Sequence, residues 1–137
     1  TIEEELTYVN YYLDIQKTRF RTRLSYEIEI DPRVRFAVII PFLLQTLVEN
    51  AFKHSFEKFP GKAILRIAIL KIDENVRISV WNNSRVEDQK TVSGGGLGLD
   101  NIKKRLELLN PDSETSVNLK ARKNATEVIV IFPCAFK

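Results

Sequence analysis

Cysteine is almost absent from this 137-residue chain: Cys134 stands alone, so no internal disulfide can form, and with His54 as the one histidine there is no His/Cys spacing to hold zinc. A reducing, cytoplasmic setting is expected. Methionine is missing altogether and the chain opens at Thr1, which predicts a piece of a longer protein. No apolar run approaches the roughly 20 residues of a membrane span, and the N-terminus lacks a signal-peptide pattern. Repeats and low-complexity tracts are lacking too. Basic charge is barely in excess, +3 net with 28% charged residues. The loose cluster of Lys17, Arg19, Arg21 and Arg23 suits a solvated helix end rather than the dense stripe a nucleic acid requires, so nucleic-acid binding is not expected. What is plentiful is apolar residues: 44% suffices for the core of one domain of ordinary size.

The apolar spacing predicts the elements. Ile2, Leu6, Val9, Leu13 and Phe20 recur at helical intervals behind Glu3, Glu4 and Glu5, whose charges suit the start of a helix. Leu24, Tyr26, Ile28 and Ile30 alternate with polar residues as in a half-buried strand ended by Asp31-Pro32. Pro41 can open a helix from Phe42 to about Phe56, with Leu44, Leu47, Val48, Ala51 and Ser55 on its core face and Thr46, Glu49, Asn50, Lys53 and Glu57 opposite. After a Pro60-Gly61 turn come strands over Ala63–Leu70 and Val76–Trp81, then a polar loop over Asn82–Ser93. A helix carrying Leu99, Ile102, Leu106 and Leu109 stops at Asn110-Pro111, and two strands follow around Lys123-Asn124. This order argues an α+β, two-layer sandwich with helices on one face of a mixed sheet.

Two segments carry the chemistry. Pro41-Phe-Leu-Leu-Gln-Thr-Leu-Val-Glu-Asn-Ala-Phe-Lys-His54 offers a hard oxygen for Mg²⁺ at Asn50, a cation for a phosphate at Lys53, and an acid at Glu49. Gly94-Gly-Gly-Leu-Gly-Leu99 precedes a helix, where glycine backbone can approach phosphates and the helix N-terminus favours anions. Taken singly, the first is most often the wet side of an amphipathic helix and the second a flexible connection. No Gly-Lys-Ser/Thr follows, and no strand precedes the glycines, so neither the P-loop nor the Rossmann fingerprint applies.

Pro41 to His54 resembles the N box of the ATP-binding domain of sensor histidine kinases, in the GHKL group that also holds gyrase-type and Hsp90-type ATPases; its wording is similar to the LytS-like (YehU-like) branch. Gly94 to Leu99 followed by Asp100-Asn-Ile-Lys-Lys-Arg-Leu106 resembles the G2 box and helix of that branch, and Glu4 to Phe20 resembles its helix linking to the phosphoacceptor region. The resemblance implies a GHKL (Bergerat) fold, with residues 1–22 as the linking helix and 23–137 as the catalytic domain. It implies ATP and Mg²⁺ as ligands, with Asn50 on the metal, Glu49 as the polarising acid, Lys53 and His54 near the phosphates, Gly94, Gly96 and Gly98 at the hinge of a lid that closes over ATP, and Leu97 and Leu99 among the ATP-binding residues. Arg105 is a further candidate for a phosphate contact. The implied partners are the phosphoacceptor helical region of a dimeric kinase, a response regulator, and a membrane reached only through other parts of the protein, as in a bacterial inner-membrane sensor.

Two departures bear on function. The G1 box of the resembled family reads Asp-x-Gly, whereas Asn82-Asn83-Ser84 puts Asn82 at the adenine-binding position, where an amide oxygen can still accept a hydrogen bond but without charge. Nothing in Thr1–Phe20 contains a histidine, so a phosphoacceptor is expected elsewhere. Two readings therefore stand: an ATP-binding histidine kinase catalytic domain, and a nucleotide-impaired relative that acts as an interaction module.

Overall fold

A computed structural model describes residues 1–57, 60–84 and 99–137. Helix α1 (Ile2–Phe20) opens with a capping box: the Thr1 hydroxyl accepts from the Glu4 N–H, and the Glu4 carboxylate accepts from the Thr1 amine. Its bounds and its buried stripe of Ile2, Leu6, Val9, Leu13 and Phe20 agree with the expectation from spacing. Strand β1 (Leu24–Ile30) follows, and then an extended passage leads to helix α2 (Leu43–Ala51).

The entry to α2 is built by side chains distant in sequence. Glu5 of α1 is buried, and its carboxylate accepts from the backbone N–H groups of Phe42 and Leu44 at 3.1 and 3.2 Å. A negative charge thereby sits on orphan donors at the positive end of a helix. Pro41 is not the first helical residue; Phe42 takes the cap position with φ of 67°, a left-handed conformation unusual for a bulky residue. Beyond Ala51 the helix continues as a π-helical turn over Phe52–Phe56, closed by the Glu57 N–H bonding to the Phe52 carbonyl at 2.8 Å.

Strands β2 (Ala63–Ile72) and β3 (Asn75–Asn83) form a hairpin through Asp73, whose positive φ an aspartate tolerates. Asn82 and Asn83, expected in a loop, are strand residues, because both hold register with β5 opposite Thr126 and Ala125. Among the remaining residues assigned to that loop, 85–93 lie outside the described residues. Helix α3 (Leu99–Leu109) and the hairpin of β4 (Ser116–Arg122) and β5 (Ala125–Pro133) complete the fold.

The strands form one sheet in the order β1-β2-β3-β5-β4, with β1 and β2 parallel and the other pairs antiparallel. Alternation assigns each residue a face. Toward the helices point Leu24, Leu65, Ile67, Ile69, Val76, Ile78, Val80, Val128, Val130 and Phe132, all in the core with α1 and α2. Away from the helices runs the row Glu27, Arg66, Trp81, Glu127 and Lys120, one residue from each strand, with the Arg66 guanidinium 4.8 Å above the Trp81 ring. Opposite charges beside one another, with the indole covered by a cation, let this face stand in water. The expected α+β sandwich with helices on one face of a mixed sheet is what the chain adopts.

Candidate functional site

The buried part of the sheet's inward face is apolar except at one end. There Asn82 of β3 and Thr126 of β5 sit side by side, both buried. Above them pass the end of α2 and its π turn. Asn50, Ala51, His54 and Ser55 from this helical segment close with Val80, Asn82, Leu119, Thr126 and Val128 around a narrow recess of about 20 Å³.

Hydrogen bonds fix the polar groups on the sheet side. The Asn82 amide donates to the Ser55 hydroxyl at 3.2 Å and to the Asn83 carbonyl at 2.9 Å. Both N–H bonds of that amide are used, which leaves its carbonyl oxygen as the acceptor. Asn83 in turn accepts from the Ile64 N–H at 2.7 Å and donates to the Lys62 carbonyl at 2.8 Å, tying the end of β3 to β2. Ser84 and Thr126 share a hydroxyl–hydroxyl bond of 3.2 Å.

The residues expected at the site separate into groups. Asn50, His54 and Asn82 come together at the recess, and Leu99 packs half-buried against the core as the first residue of α3. Lys53 is exposed on the π turn, and Glu49 is half-buried; neither lines the recess. The charge of Glu49 instead acts on α1: the half-buried Tyr12 phenol is pushed up to about 12, first by burial and then by the carboxylates of Glu49 and Glu57, against the opposing charge of Arg19. Tyr12 also meets the Phe52 ring edge-on at 5.5 Å. Arg105 of α3 donates to the Pro41 carbonyl at 3.3 Å, at the opposite end of α2 from Asn50. Gly94, Gly96, Leu97 and Gly98 lie outside the described residues.

Ser55 and Thr126 were missed as site residues. A signal for Thr126 was available: it interrupts the apolar alternation on the inward side of β5, as Asn82 does on β3. Ser55 was read as a core-face residue, and it is one, but its hydroxyl serves the Asn82 amide. No cluster of three His, Cys, Asp or Glu side chains suited to a metal occurs among the described residues. Asn50 at the recess carries an amide oxygen, a hard donor of the kind Mg²⁺ accepts.

No family model matches the chain. Among curated proteins it is 31% identical over 137 residues to the sensor histidine kinase YesM of Bacillus subtilis, covering 98% of this chain and 24% of YesM. It is 32% identical over 130 residues to the sensor protein LytS of Oceanobacillus iheyensis, covering 85% of this chain and 22% of LytS. The sensor histidine kinase BtsS of Escherichia coli is 28% identical over 131 residues, covering 88% and 23%. This chain is a homologue of the LytS, YesM and BtsS sensor histidine kinases. The kinase homologue spans about a quarter of the length of these relatives. Its fold is that of histidine kinase catalytic domains: the catalytic domain of ThkA superposes with a TM-score of 0.65 at 20% identity, covering 98% of this chain and 94% of that one. ThkA in complex with the response regulator TrrA gives a TM-score of 0.56 at 17% identity, covering 96% and 39%.

Proposed function

We propose that this chain is the ATP-binding catalytic domain of a two-component sensor histidine kinase. It delivers the ATP γ-phosphoryl group to a histidine in the phosphoacceptor helical region, a segment these 137 residues do not include. The observation that carries this reading is the recess where Asn50, His54 and Asn82 meet, with the Asn82 amide oriented by two donated hydrogen bonds so that its oxygen is the acceptor. That oxygen takes the 6-amino hydrogen of adenine. Asn50 supplies an oxygen to Mg²⁺, whose charge offsets that of the phosphates. Lys53 and His54 approach the phosphates from the π turn, and Arg105 is a further phosphate contact from α3. Glu49 polarises the attacking imidazole. Gly94, Gly96 and Gly98 shape the hinge of a lid over the nucleotide, and Leu97 and Leu99 contact it. In the transfer, the bond from phosphorus to the bridging oxygen of ADP breaks as the bond to the imidazole nitrogen forms. Catalysis is positioning and charge neutralisation.

In this account residues 1–22 are the link to the phosphoacceptor region and 23–137 the nucleotide-binding domain. The first segment shares the core of the second, since Ile2, Leu6, Val9 and Leu13 pack with the sheet residues. The phosphoryl group passes onward to a response regulator; ThkA has been solved with one, TrrA. Among the described residues no helix is long and apolar enough to cross a membrane. In this reading the domain lies on the cytoplasmic side of a bacterial inner membrane, anchored by other parts of the protein.

A second reading has its own observation. Asn82 and Ser84 stand where the resembled G1 box has Asp and Gly, and the recess of about 20 Å³ holds a water but not a base. On that reading the domain is an interaction module. Equilibrium titration with ADP and GDP separates the two: the kinase reading expects a preference for ADP that Asn82→Ala reduces by about 10-fold or more, as loss of one buried hydrogen bond implies. Equal, weak binding of both nucleotides, unchanged in Asn82→Ala, contradicts it.

A further inference from the structure

The two bonds that orient the Asn82 amide are not equivalent. Ser55 presents a hydroxyl, which can accept from an N–H or donate to an oxygen and so suits the amide either way round. The Asn83 carbonyl can only accept. Turned over, the amide would set its oxygen where its nitrogen now stands, 2.9 Å from that carbonyl oxygen, and would aim its NH₂ out of the recess wall instead of its oxygen. Acceptor would then face acceptor in a buried place, so the Asn83 carbonyl is what fixes the direction of the amide.

That carbonyl is available because the Asn83 side chain stands in for it. Leu65 lies opposite Asn82 in the β2–β3 register, so one step further Ile64 lies opposite Asn83. In a bonded antiparallel pair the N–H of one residue goes to the main-chain carbonyl of the other. Here the Ile64 N–H goes to the Asn83 side-chain oxygen at 2.7 Å, and the Asn83 side-chain NH₂ donates to the Lys62 carbonyl at 2.8 Å. The main-chain carbonyl is left for the Asn82 amide. At the other side of the same peptide unit, the Ser84 N–H donates to the Asn124 carbonyl at 2.9 Å and holds the plane. We infer that Asn83 is a positioning residue that sets base selectivity: it keeps its own carbonyl off the β2 ladder, so that Asn82 presents an acceptor and favours a purine with a 6-amino group over one with a 6-oxo group. The inference rests on the nucleotide reading above and gives Asn83 no contact with the base. A carboxylate at position 82 would present acceptors in either orientation, whereas an amide discriminates only while it is held.

Equilibrium binding of ADP and of IDP, whose base carries an oxygen at position 6, tests this. The ratio of the two affinities is read on each protein, so partial unfolding of a variant cancels. Wild type is expected to prefer ADP by about 10-fold or more. In Asn83→Ala the Ile64 N–H can take the main-chain carbonyl and the amide is released, so the ratio falls about 5- to 10-fold, with IDP binding tighter than it does to wild type. Asn83→Asp keeps an acceptor for the Ile64 N–H and retains the wild-type ratio. In an Asn82→Asp background, adding Asn83→Ala leaves the ratio unmoved, because a carboxylate has no orientation to lose. A wild type that binds ADP and IDP equally overturns the inference while the nucleotide reading stands. So does an Asn83→Ala chain that weakens both nucleotides alike, or an Asn83→Asp chain that loses as much selectivity as Asn83→Ala. A wild type that binds neither nucleotide overturns both.

Discussion

Removing the Glu5 carboxylate is the sharpest test of how the site-bearing helix is held. Glu5→Ala deletes the acceptor for two backbone donors, the Phe42 and Leu44 N–H groups, in a seam where water has little access. Hydrogen bonds to a charged group contribute about 1.5–3 kcal/mol each, and an orphaned buried N–H costs about 1–3 kcal/mol. Partial rehydration at Phe42, whose side chain is exposed, keeps the sum below the arithmetic maximum. The expected loss is about 2–4 kcal/mol, which for a domain of this length lowers Tm by roughly 7–15 °C. Glu5→Gln retains one acceptor oxygen but turns an NH₂ toward the second donor, so its loss is about half as large. Urea unfolding followed by circular dichroism measures both, with an unchanged slope confirming that the unfolded state is not altered. A loss below about 0.5 kcal/mol in Glu5→Ala would refute the claim that this carboxylate caps α2.

Phe42 occupies the left-handed region with its ring 62% exposed, so Phe42→Gly is expected to be more stable than Phe42→Val by about 1–2 kcal/mol, despite the greater apolarity of valine; equal thermal stability would remove the strain argument. Asn82→Asp places a carboxylate where the amide now donates to the Asn83 carbonyl at 2.9 Å, so thermal unfolding is expected to show a loss of about 1–3 kcal/mol even though aspartate is the residue of the resembled motif. Burial, then the Glu49 and Glu57 carboxylates, push the Tyr12 phenol up to about 12 from an ordinary value of 10.0. Because the folded value is raised, the stability linked to this phenol is intact below about pH 10 and drains away as pH rises toward 12. Ultraviolet difference titration of wild type against Tyr12→Phe should isolate a step near pH 12, and a step at the ordinary value would show that neither burial nor the Glu49 and Glu57 carboxylates raise it.

Where spacing alone sets an element, it was legible. The 3.6-residue rhythm from Ile2 to Phe20 needed no tertiary help, and the buried set Leu44, Leu47, Val48 and Ala51 follows from one helical face. Strand β3 ran two residues further than expected, because Asn82 and Asn83 are poor strand formers held in the ladder by β5 and by side-chain bonds to Lys62, Ile64 and Ser55. The entry of α2 was misplaced at Pro41 for a related reason: its cap comes from Glu5, 37 residues away from Phe42, and no local pattern encodes it. At the site, the helical step put Glu49, Asn50 and Lys53 on one polar side, yet adjacent residues differ by about 100° and the recess takes Asn50 while Glu49 comes under the influence of α1. The switch to a π turn after Ala51 shifts His54 and Ser55 relative to an ideal α-helix, and period arguments do not anticipate it.

On the proposed function, Asn50 and Asn82 beside the recess between α2 and β3 hold a magnesium nucleotide that the recess itself is too small to enclose. Calorimetric titration of the chain with ADP, with and without Mg²⁺, tests it most directly when repeated on Asn50→Ala. Binding should strengthen with Mg²⁺ in the wild type and lose that magnesium dependence in Asn50→Ala, with residual metal-independent binding carried by Asn82. No heat with nucleotide near about 1 mM, or a magnesium effect that survives Asn50→Ala, would contradict it.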